Sequence, residues 1–124
     1  MAKTVHAGAV ETLLVELVQL LAGQNAVHTH AHRAGHVFGD LRDTSKPVIL
    51  WLHGGAFILP AAPVAHLEMV AHLASKLGAI GYLPDYRLAP RNRFPAALDD
   101  CERAYRSLLD LGFPPSRISL GGDS

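Results

Sequence analysis

This 124-residue sequence has one cysteine, one tryptophan and no net charge. A single cysteine, Cys101, excludes an internal disulfide and is consistent with a reducing compartment. Eleven Lys and Arg residues balance eleven Asp and Glu residues, so no overall field attracts nucleic acid or an anionic membrane surface. The sequence therefore gives no sign of a nucleic-acid-binding or disulfide-stabilised secreted protein.

Long apolar runs are also missing. No stretch reaches about 18 unbroken apolar residues, the length that a membrane-spanning helix needs. The first apolar stretch, from Val10 to Leu21, is interrupted by Glu11 and Glu16, which the core of a signal peptide would not normally carry. Hydrophobic residues nevertheless make up 49% of the chain, enough to bury a core. We therefore expect a cytoplasmic globular protein with one domain.

The first third of the chain contains one clear element. Residues 10–22 have apolar positions at helical spacing, and Gly23 is placed to end the helix. This helix is either an ordinary core-packing helix or a mobile helix that covers a substrate pocket. Short strands are predicted at 27–32 and 36–38, and a polar loop at 39–46.

The rest of the chain alternates strands and helices. Strands buried on both faces are predicted by three short apolar runs with β-branched residues, 48–52, 79–83 and 117–121. Helical patterns separate them at 62–77, where the apolar face includes Leu77, and at 95–111, where it includes Leu98, Cys101, Ala104, Leu108 and Leu111. This order favours parallel strands joined by right-handed crossovers. The predicted fold class is α/β, a mostly parallel sheet with helices on both faces.

The most informative motif is Gly122-Asp123-Ser124, directly after the predicted strand 117–121. A serine hydroxyl is a poor nucleophile at neutral pH and needs a base and a set of oxyanion donors. A tight turn after a strand can expose such a serine, and a small residue such as Gly122 lets the backbone pass closely. Gly-x-Ser alone is common, but after a buried strand it indicates a nucleophile turn.

A second motif, His53-Gly54-Gly55-Ala56, follows the predicted strand 48–52. Glycines can turn their N–H groups towards a substrate carbonyl without steric cost. We expect the N–H groups of Gly54 and Gly55 to be oxyanion donors, with Ala56 completing the loop. We expect His53 to support the loop through hydrogen bonds and not to act as a base. The alternative is a plain strand-to-helix turn, which the presence of the Gly-Asp-Ser motif at 122–124 disfavours.

With these motifs the chain resembles the hormone-sensitive-lipase-like family of α/β hydrolases, which are carboxylesterases and lipases. The matching stretches are 53–57, 85–90, 94–100 and 118–124, in the same order as in the family. The resemblance implies that Ser124 is the nucleophile, that Gly54 and Gly55 are oxyanion donors, and that the helix at 10–22 belongs to a cap. We expect residues 1–25 to form the cap region and 26–124 the first half of the core sheet of an incomplete hydrolase domain.

Two local departures from the family pattern stand out, and two residues of the triad are absent. Ala56 replaces a usual third glycine and keeps its backbone N–H, while Arg91 stands where the family usually has Glu. The family's catalytic acid and histidine follow the serine, and neither can be assigned here. We therefore expect the 124-residue chain alone to be inactive, with an open sheet edge at 117–121 that could pair with a second copy or a complementary chain.

The resemblance implies hydrolysis of small esters, with short acyl chains, without a metal or organic cofactor. The alternatives are a non-catalytic ligand-binding protein on the same fold, or one half of a two-chain hydrolase. His28, His30 and His32 alternate and lie near His36, a crude pattern for a zinc site, but a solvated strand face is the favoured reading.

Two pairs of charged residues are expected to be structural. Asp85 and Arg87 are predicted to pair beneath the site. Asp99 and Asp100 fall in the first turn of a predicted helix, where carboxylates complement the helix dipole, and neither is expected to be the triad acid.

Overall fold

A computed structural model describes residues 35–124. The helix predicted at 10–22, the strand predicted at 27–32 and the three alternating histidines lie outside these residues. The described elements, in chain order, are strand β1 (Gly35–Phe38), strand β2 (Val48–Leu52), a π-helical segment (Pro63–Glu68) that continues into helix α1 (Met69–Leu77), strand β3 (Ile80–Pro84), helix α2 (Ala96–Asp110), a 3-10 turn (Pro115–Arg117) and strand β4 (Ile118–Gly122).

The four strands form one sheet in the order β1-β3-β2-β4. β2 is parallel to both β3 and β4, and β1 is antiparallel to β3. The α/β prediction is therefore confirmed, with one antiparallel strand at the edge. Gly35 belongs to β1 and not to a preceding turn, because its backbone pairs with Pro84.

Helices cover both faces of the sheet. Because side chains alternate along a strand, neighbouring residues enter different clusters: Val37 packs on the side of α2, and Phe38 packs on the side of α1. The α2 side contains Leu50, Ile80, Tyr82, Ala104, Leu108 and Phe113, and the α1 side contains Leu67, Val70, Ala71 and Leu83. We call these two clusters together the sheet core.

Three leucines assigned to apolar helix faces are exposed instead. Leu98 and Leu111 of α2 are 55% and 44% exposed, and Leu77 of α1 is 61% exposed. In the middle of α2, the buried hydrophobic residues are Ala104 and Leu108. The face of α2 that packs on the sheet is therefore narrower than the sequence pattern predicted. Leu77 lies at the end of α1, immediately before the left-handed Gly78.

Within residues 35–124, no helix combines the length and the apolar character needed to cross a bilayer.

Candidate active site

The two predicted motifs meet at one edge of the sheet. β2 and β4 are parallel neighbours with Leu52 opposite Gly122, so the segments that follow them leave the sheet side by side. A Cβ atom on Gly54 would overlap the backbone carbonyl group of Ser124. Glycine at position 54 is therefore required by the close approach of the serine turn.

The loop after β2 has an unusual backbone. Gly55, Ala56 and Phe57 all have positive φ values, of 122°, 54° and 59°. Residues other than glycine adopt this conformation at a cost of about 1–3 kcal/mol and are frequent at functional sites. The Gly55 carbonyl accepts hydrogen bonds from the N–H groups of Ile58 and Leu59, both at 3.0 Å, and the Phe57 carbonyl accepts one from Ala89 at 2.7 Å. The surrounding chain thus holds the loop in a strained turn.

His53 is only 3% exposed at the base of this loop. Its Nδ1 atom lies 2.8 Å from the Gly54 carbonyl oxygen, and because a carbonyl only accepts, Nδ1 donates. The ring stacks on Tyr86 with centroids 4.3 Å apart, and the Tyr86 hydroxyl donates to the His53 carbonyl. Burial lowers the pKa of His53, opposed by the bond to Gly54. His53 is therefore a neutral, buried ring whose Nε2 has no partner among residues 35–124.

Asp123 forms hydrogen bonds with side chains from two different elements of the site. Its Oδ1 accepts from Trp51 Nε1 at 3.0 Å, and its Oδ2 accepts from His66 Nε2 at 3.0 Å. Partial burial would raise the pKa of Asp123, but hydrogen bonds from His66, Trp51 and the Gly54 backbone N–H outweigh it and lower the pKa. The sequence prediction gave Asp123 no role, although its place between Gly122 and the candidate nucleophile was a usable signal.

The hydrogen bonds of His66 fix its tautomer. Its Nδ1 accepts from the Ala62 backbone N–H at 2.8 Å, so the hydrogen of the neutral ring is on Nε2, which donates to Asp123. Both nitrogens are thereby occupied, and neither has a lone pair free to take a proton from Ser124. His66 is therefore not a general base for the serine in this arrangement.

The expected oxyanion loop, Gly54 to Ala56, lies beside the serine turn. The Gly54 backbone packs on the Asp123 carboxylate, since a Cβ on Gly54 would lie 2.7 Å from Oδ2, and Gly55 and Ala56 follow it in the loop after β2. Among the described residues, no hydrogen bond joins the Ser124 hydroxyl to a histidine.

A pocket of about 710 Å³ opens beside Ser124. Such a volume lies in the range of small-molecule sites. Its walls are mainly apolar and include Leu52, Phe57, Ile58, Ala89, Phe94 and Leu98. Cys101 also lines it, and burial raises the pKa of that thiol to about 11, so the thiol is protonated at neutral pH. The pocket suits the apolar part of a small molecule.

The charged pairs differ from the prediction. Arg87 binds Asp100: its Nε lies 2.9 Å from Oδ2 and its second terminal nitrogen 2.9 Å from Oδ1. Asp100 also accepts from the Arg87 backbone N–H and from Arg103. Asp100 is therefore a buried anchor between α2 and the segment before it, whereas Asp99 remains exposed in the first turn of α2.

In the part of the chain that the structure describes, no group of three or more His, Cys, Asp or Glu residues is arranged to hold a metal ion. His36 lies in β1 and is buried, but the three histidines that would have completed the predicted pattern lie outside the described range.

Comparison with known proteins gives a consistent result. A family model for the alpha/beta hydrolase fold matches residues 49–124. An acetyl-hydrolase from Streptomyces hygroscopicus is 42% identical over 76 residues, covering 61% of this chain and 25% of that protein. The carboxylesterase/phospholipase LipF of Mycobacterium tuberculosis is 40% identical over 82 residues, covering 66% of this chain and 22% of that protein. The chain thus spans about a quarter of the length of these curated relatives.

Solved structures agree with the sequence relatives. An esterase/lipase from an uncultured bacterium matches with a TM-score of 0.68 at 32% identity, covering 99% of this chain and 44% of that one. A hormone-sensitive lipase from a metagenome library matches with a TM-score of 0.67 at 30% identity, covering 98% of this chain and 43% of that one.

Proposed function

Because the chain belongs to the α/β hydrolase family and its relatives include hormone-sensitive-lipase-like esterases, we propose that it carries the nucleophile and oxyanion loop of a carboxylic ester hydrolase. The parallel pairing of β2 with β4, which sets Ser124 against the loop at Gly54, is the observation that supports this most directly. A serine at the end of one strand and backbone N–H groups at the end of its neighbour are two of the three parts that acyl transfer needs, the third being a base.

The proposed reaction has two steps. Ser124 Oγ attacks the ester carbonyl carbon, its proton passes to a base, and the alcohol leaves with a proton as the serine becomes acylated. Water then attacks the acyl-enzyme, which releases the acid and restores the serine. During both steps, backbone N–H groups of Gly54, Gly55 and Ala56 are the proposed donors to the carbonyl oxygen as it gains negative charge. His53 supports this loop through its own bond to Gly54.

The base and the triad acid are not assigned to residues of this sequence. Of the two histidines near the serine turn, His66 has both nitrogens in use, and His53 is buried with Nδ1 turned to its own loop. No cofactor enters the proposed reaction. The apolar walls of the pocket fit a small ester, and a short acyl chain is proposed from the resemblance. The cytoplasmic location and the pairing of strand 117–121 with another chain stay predictions; β4 is the outer strand of the described sheet.

The test uses the protein in its natural form and p-nitrophenyl esters with acyl chains of increasing length. Ser124→Ala should lower kcat by at least about 10⁴-fold, because removal of a nucleophilic serine leaves only binding and oxyanion stabilisation. Ser119→Ala, which changes an exposed serine of β4, is the matched control and should keep wild-type activity. Equal activity of the two variants would contradict the proposal. Ester binding without turnover by the wild type would favour the non-catalytic alternative.

A further inference from the structure

We propose that Asp123 is a positioning residue of this site, whose carboxylate holds the loop at 53–58 in place against the strand end that carries Ser124. The inference rests on the proposed function, since it concerns how the oxyanion donors of that reaction are placed. Asp123 also lines the pocket, but in this role it acts through the loop and not on the reacting atoms.

The carboxylate joins three separate segments. Trp51 lies in β2, Gly54 in the loop that follows it, and His66 in the π-helical segment. Oδ1 takes the Trp51 indole N–H and Oδ2 takes the His66 N–H, each at 3.0 Å. A Cβ on Gly54 would lie 2.7 Å from Oδ2, so the loop backbone packs directly on the carboxylate. Movement of the loop would therefore disturb a carboxylate that is also hydrogen-bonded to β2 and to the π-helical segment.

Trp51 is itself held firmly. A Cβ on Gly121 would come within 2.6 Å of the Trp51 ring, so the missing side chain at 121 leaves space for the indole to lie on β4. The ring also packs against the cluster on the α1 side of the sheet. The Trp51 indole, which donates to Oδ1, is thus held by packing on two sides and fixes the position of the Asp123 carboxylate.

The arrangement requires a carboxylate. Two donors meet two different oxygens, and an asparagine has only one oxygen, so its NH₂ group would face an N–H donor. His66 cannot remove this conflict by changing tautomer, because the Ala62 N–H already needs Nδ1 as its acceptor. Asp123→Asn therefore places two hydrogen-bond donors against each other and loses one of the two hydrogen bonds that hold the side chain at 123 against the loop.

The consequence for catalysis concerns the neighbouring N–H groups. The Gly54 backbone packs on the Asp123 carboxylate, and the next two residues, Gly55 and Ala56, continue the loop with positive φ. A misplacement of about 1 Å at a reacting centre can lower a rate by about 10²-fold. Because these donors act mainly in the transition state, their displacement should lower kcat much more than it raises KM.

The first experiment compares Asp123→Asn with Asp99→Asn in the natural full-length protein. Asp99 is an exposed carboxylate outside the site. We expect Asp123→Asn to lower kcat by about 10- to 100-fold with KM within about threefold, and to weaken binding of a trifluoromethyl ketone by a similar factor to kcat. Asp99→Asn should change none of these values. Equal kcat values for the two variants would overturn the inference.

A second set of variants removes the donors instead of the acceptor. Trp51→Phe keeps a ring against Gly121 and loses only the indole N–H, and His66→Gln loses the imidazole; His72→Gln changes an exposed histidine of α1 as the control. Trp51→Phe and His66→Gln should each lower kcat. Each should lower kcat by a smaller factor in the Asp123→Asn background than in the wild type, because both residues act through their hydrogen bonds to Asp123. If Asp123→Asn does not fold, these variants decide the question: wild-type kcat in both overturns the inference.

A readout independent of turnover separates this inference from the proposed function. Exchange of the Trp51 indole N–H with solvent, followed by NMR, should be faster in Asp123→Asn than in the wild type and Asp99→Asn. If the wild type hydrolyses no ester, the proposed function fails, and unchanged indole exchange in Asp123→Asn would overturn the positioning contact as well. If the wild type is active and only the Asp123→Asn results are negative, the function stands and the inference fails.

Discussion

The sheet core and the carboxyl end of the sheet are held together in different ways. In the core, Val48, Leu50 and Ile80 are fully buried and make apolar contacts that depend on volume and not on direction. At the carboxyl end, which we call the rim (residues 53–59, 85–100 and 121–124), the contacts are directional hydrogen bonds between fixed donors and acceptors. The core should therefore tolerate apolar substitutions that keep its volume, whereas the rim should lose stability when a substitution keeps the volume of a side chain but changes its hydrogen bonding.

The largest effect should come from lost volume in the core. Phe113 is 1% exposed and packs on the α2 side of the sheet. Phe113→Ala should lower the free energy of unfolding by about 4 kcal/mol, because it leaves a cavity as well as removing apolar contacts. Phe113→Leu should cost less than about 1.5 kcal/mol. Urea denaturation of both variants measures this difference, and equal losses would show that volume is not what matters there.

An isosteric change in the rim should be almost as damaging. The Asp100 side chain is 4% exposed and pairs with both Arg87 and Arg103. Asp100→Asn keeps its volume but leaves a guanidinium without its carboxylate, which should lower the free energy of unfolding by about 3 kcal/mol. Asp99→Asn, at the neighbouring exposed position, should cost no more than about 0.5 kcal/mol. A tolerated Asp100→Asn would remove the distinction between rim and core.

The same contrast explains what the sequence could predict. Strands 48–52 and 79–83 show their burial locally, as runs of apolar residues, and the pairing of parallel strands follows from the helices between them. The two motifs 53–56 and 122–124 could also be placed at one edge, since each follows a strand. Local pattern was therefore enough for the fold class and for the meeting of these two motifs.

The partners within the rim could not be predicted in this way. The carboxylate of Asp100, which binds Arg87, lies 13 residues further along the chain, in α2. Asp123 meets Trp51 across 72 residues and His66 across 57 residues, and no local periodicity records such a contact. Hydrogen-bond partners are chosen by the three-dimensional meeting of segments, so sequence spacing alone does not reveal them.

His36 sharpens the comparison, because it puts a titratable ring inside the buried part of the sheet. It is 5% exposed, and its Nδ1 has no hydrogen-bond partner among the described residues. Burial, with a smaller contribution from His53, lowers the pKa of His36 from 6.5 to about 4. His36 therefore binds a proton more readily in the unfolded chain than in the folded one. The free energy of unfolding is highest above about pH 6.5 and decreases as the pH falls from there towards about 4.

This loss can be measured by urea denaturation at about pH 7 and about pH 5. His36 should account for about 2 kcal/mol of the decrease in the free energy of unfolding between these values, calculated from the two pKa values. His36→Leu should make the decrease smaller by that amount, whereas His72→Leu, at an exposed position, should leave it unchanged. The same pH dependence in the wild type and His36→Leu would show that His36 does not titrate on unfolding.

The smallest effect should come from an ion pair that lies outside both regions. Glu102 and Arg106 are one helical turn apart on α2, 2.7 Å from each other, with side chains 55% and 70% exposed. Glu102→Gln should lower the free energy of unfolding by less than about 0.5 kcal/mol, because water and salt screen the exposed charges and the free side chains regain mobility. Added sodium chloride should reduce even this difference. The pair has the same chemistry as Arg87 with Asp100 and differs from it mainly in burial. If Glu102→Gln lowered the free energy of unfolding as much as Asp100→Asn does, burial of the Asp100 carboxylate would not be the reason for its larger contribution to stability.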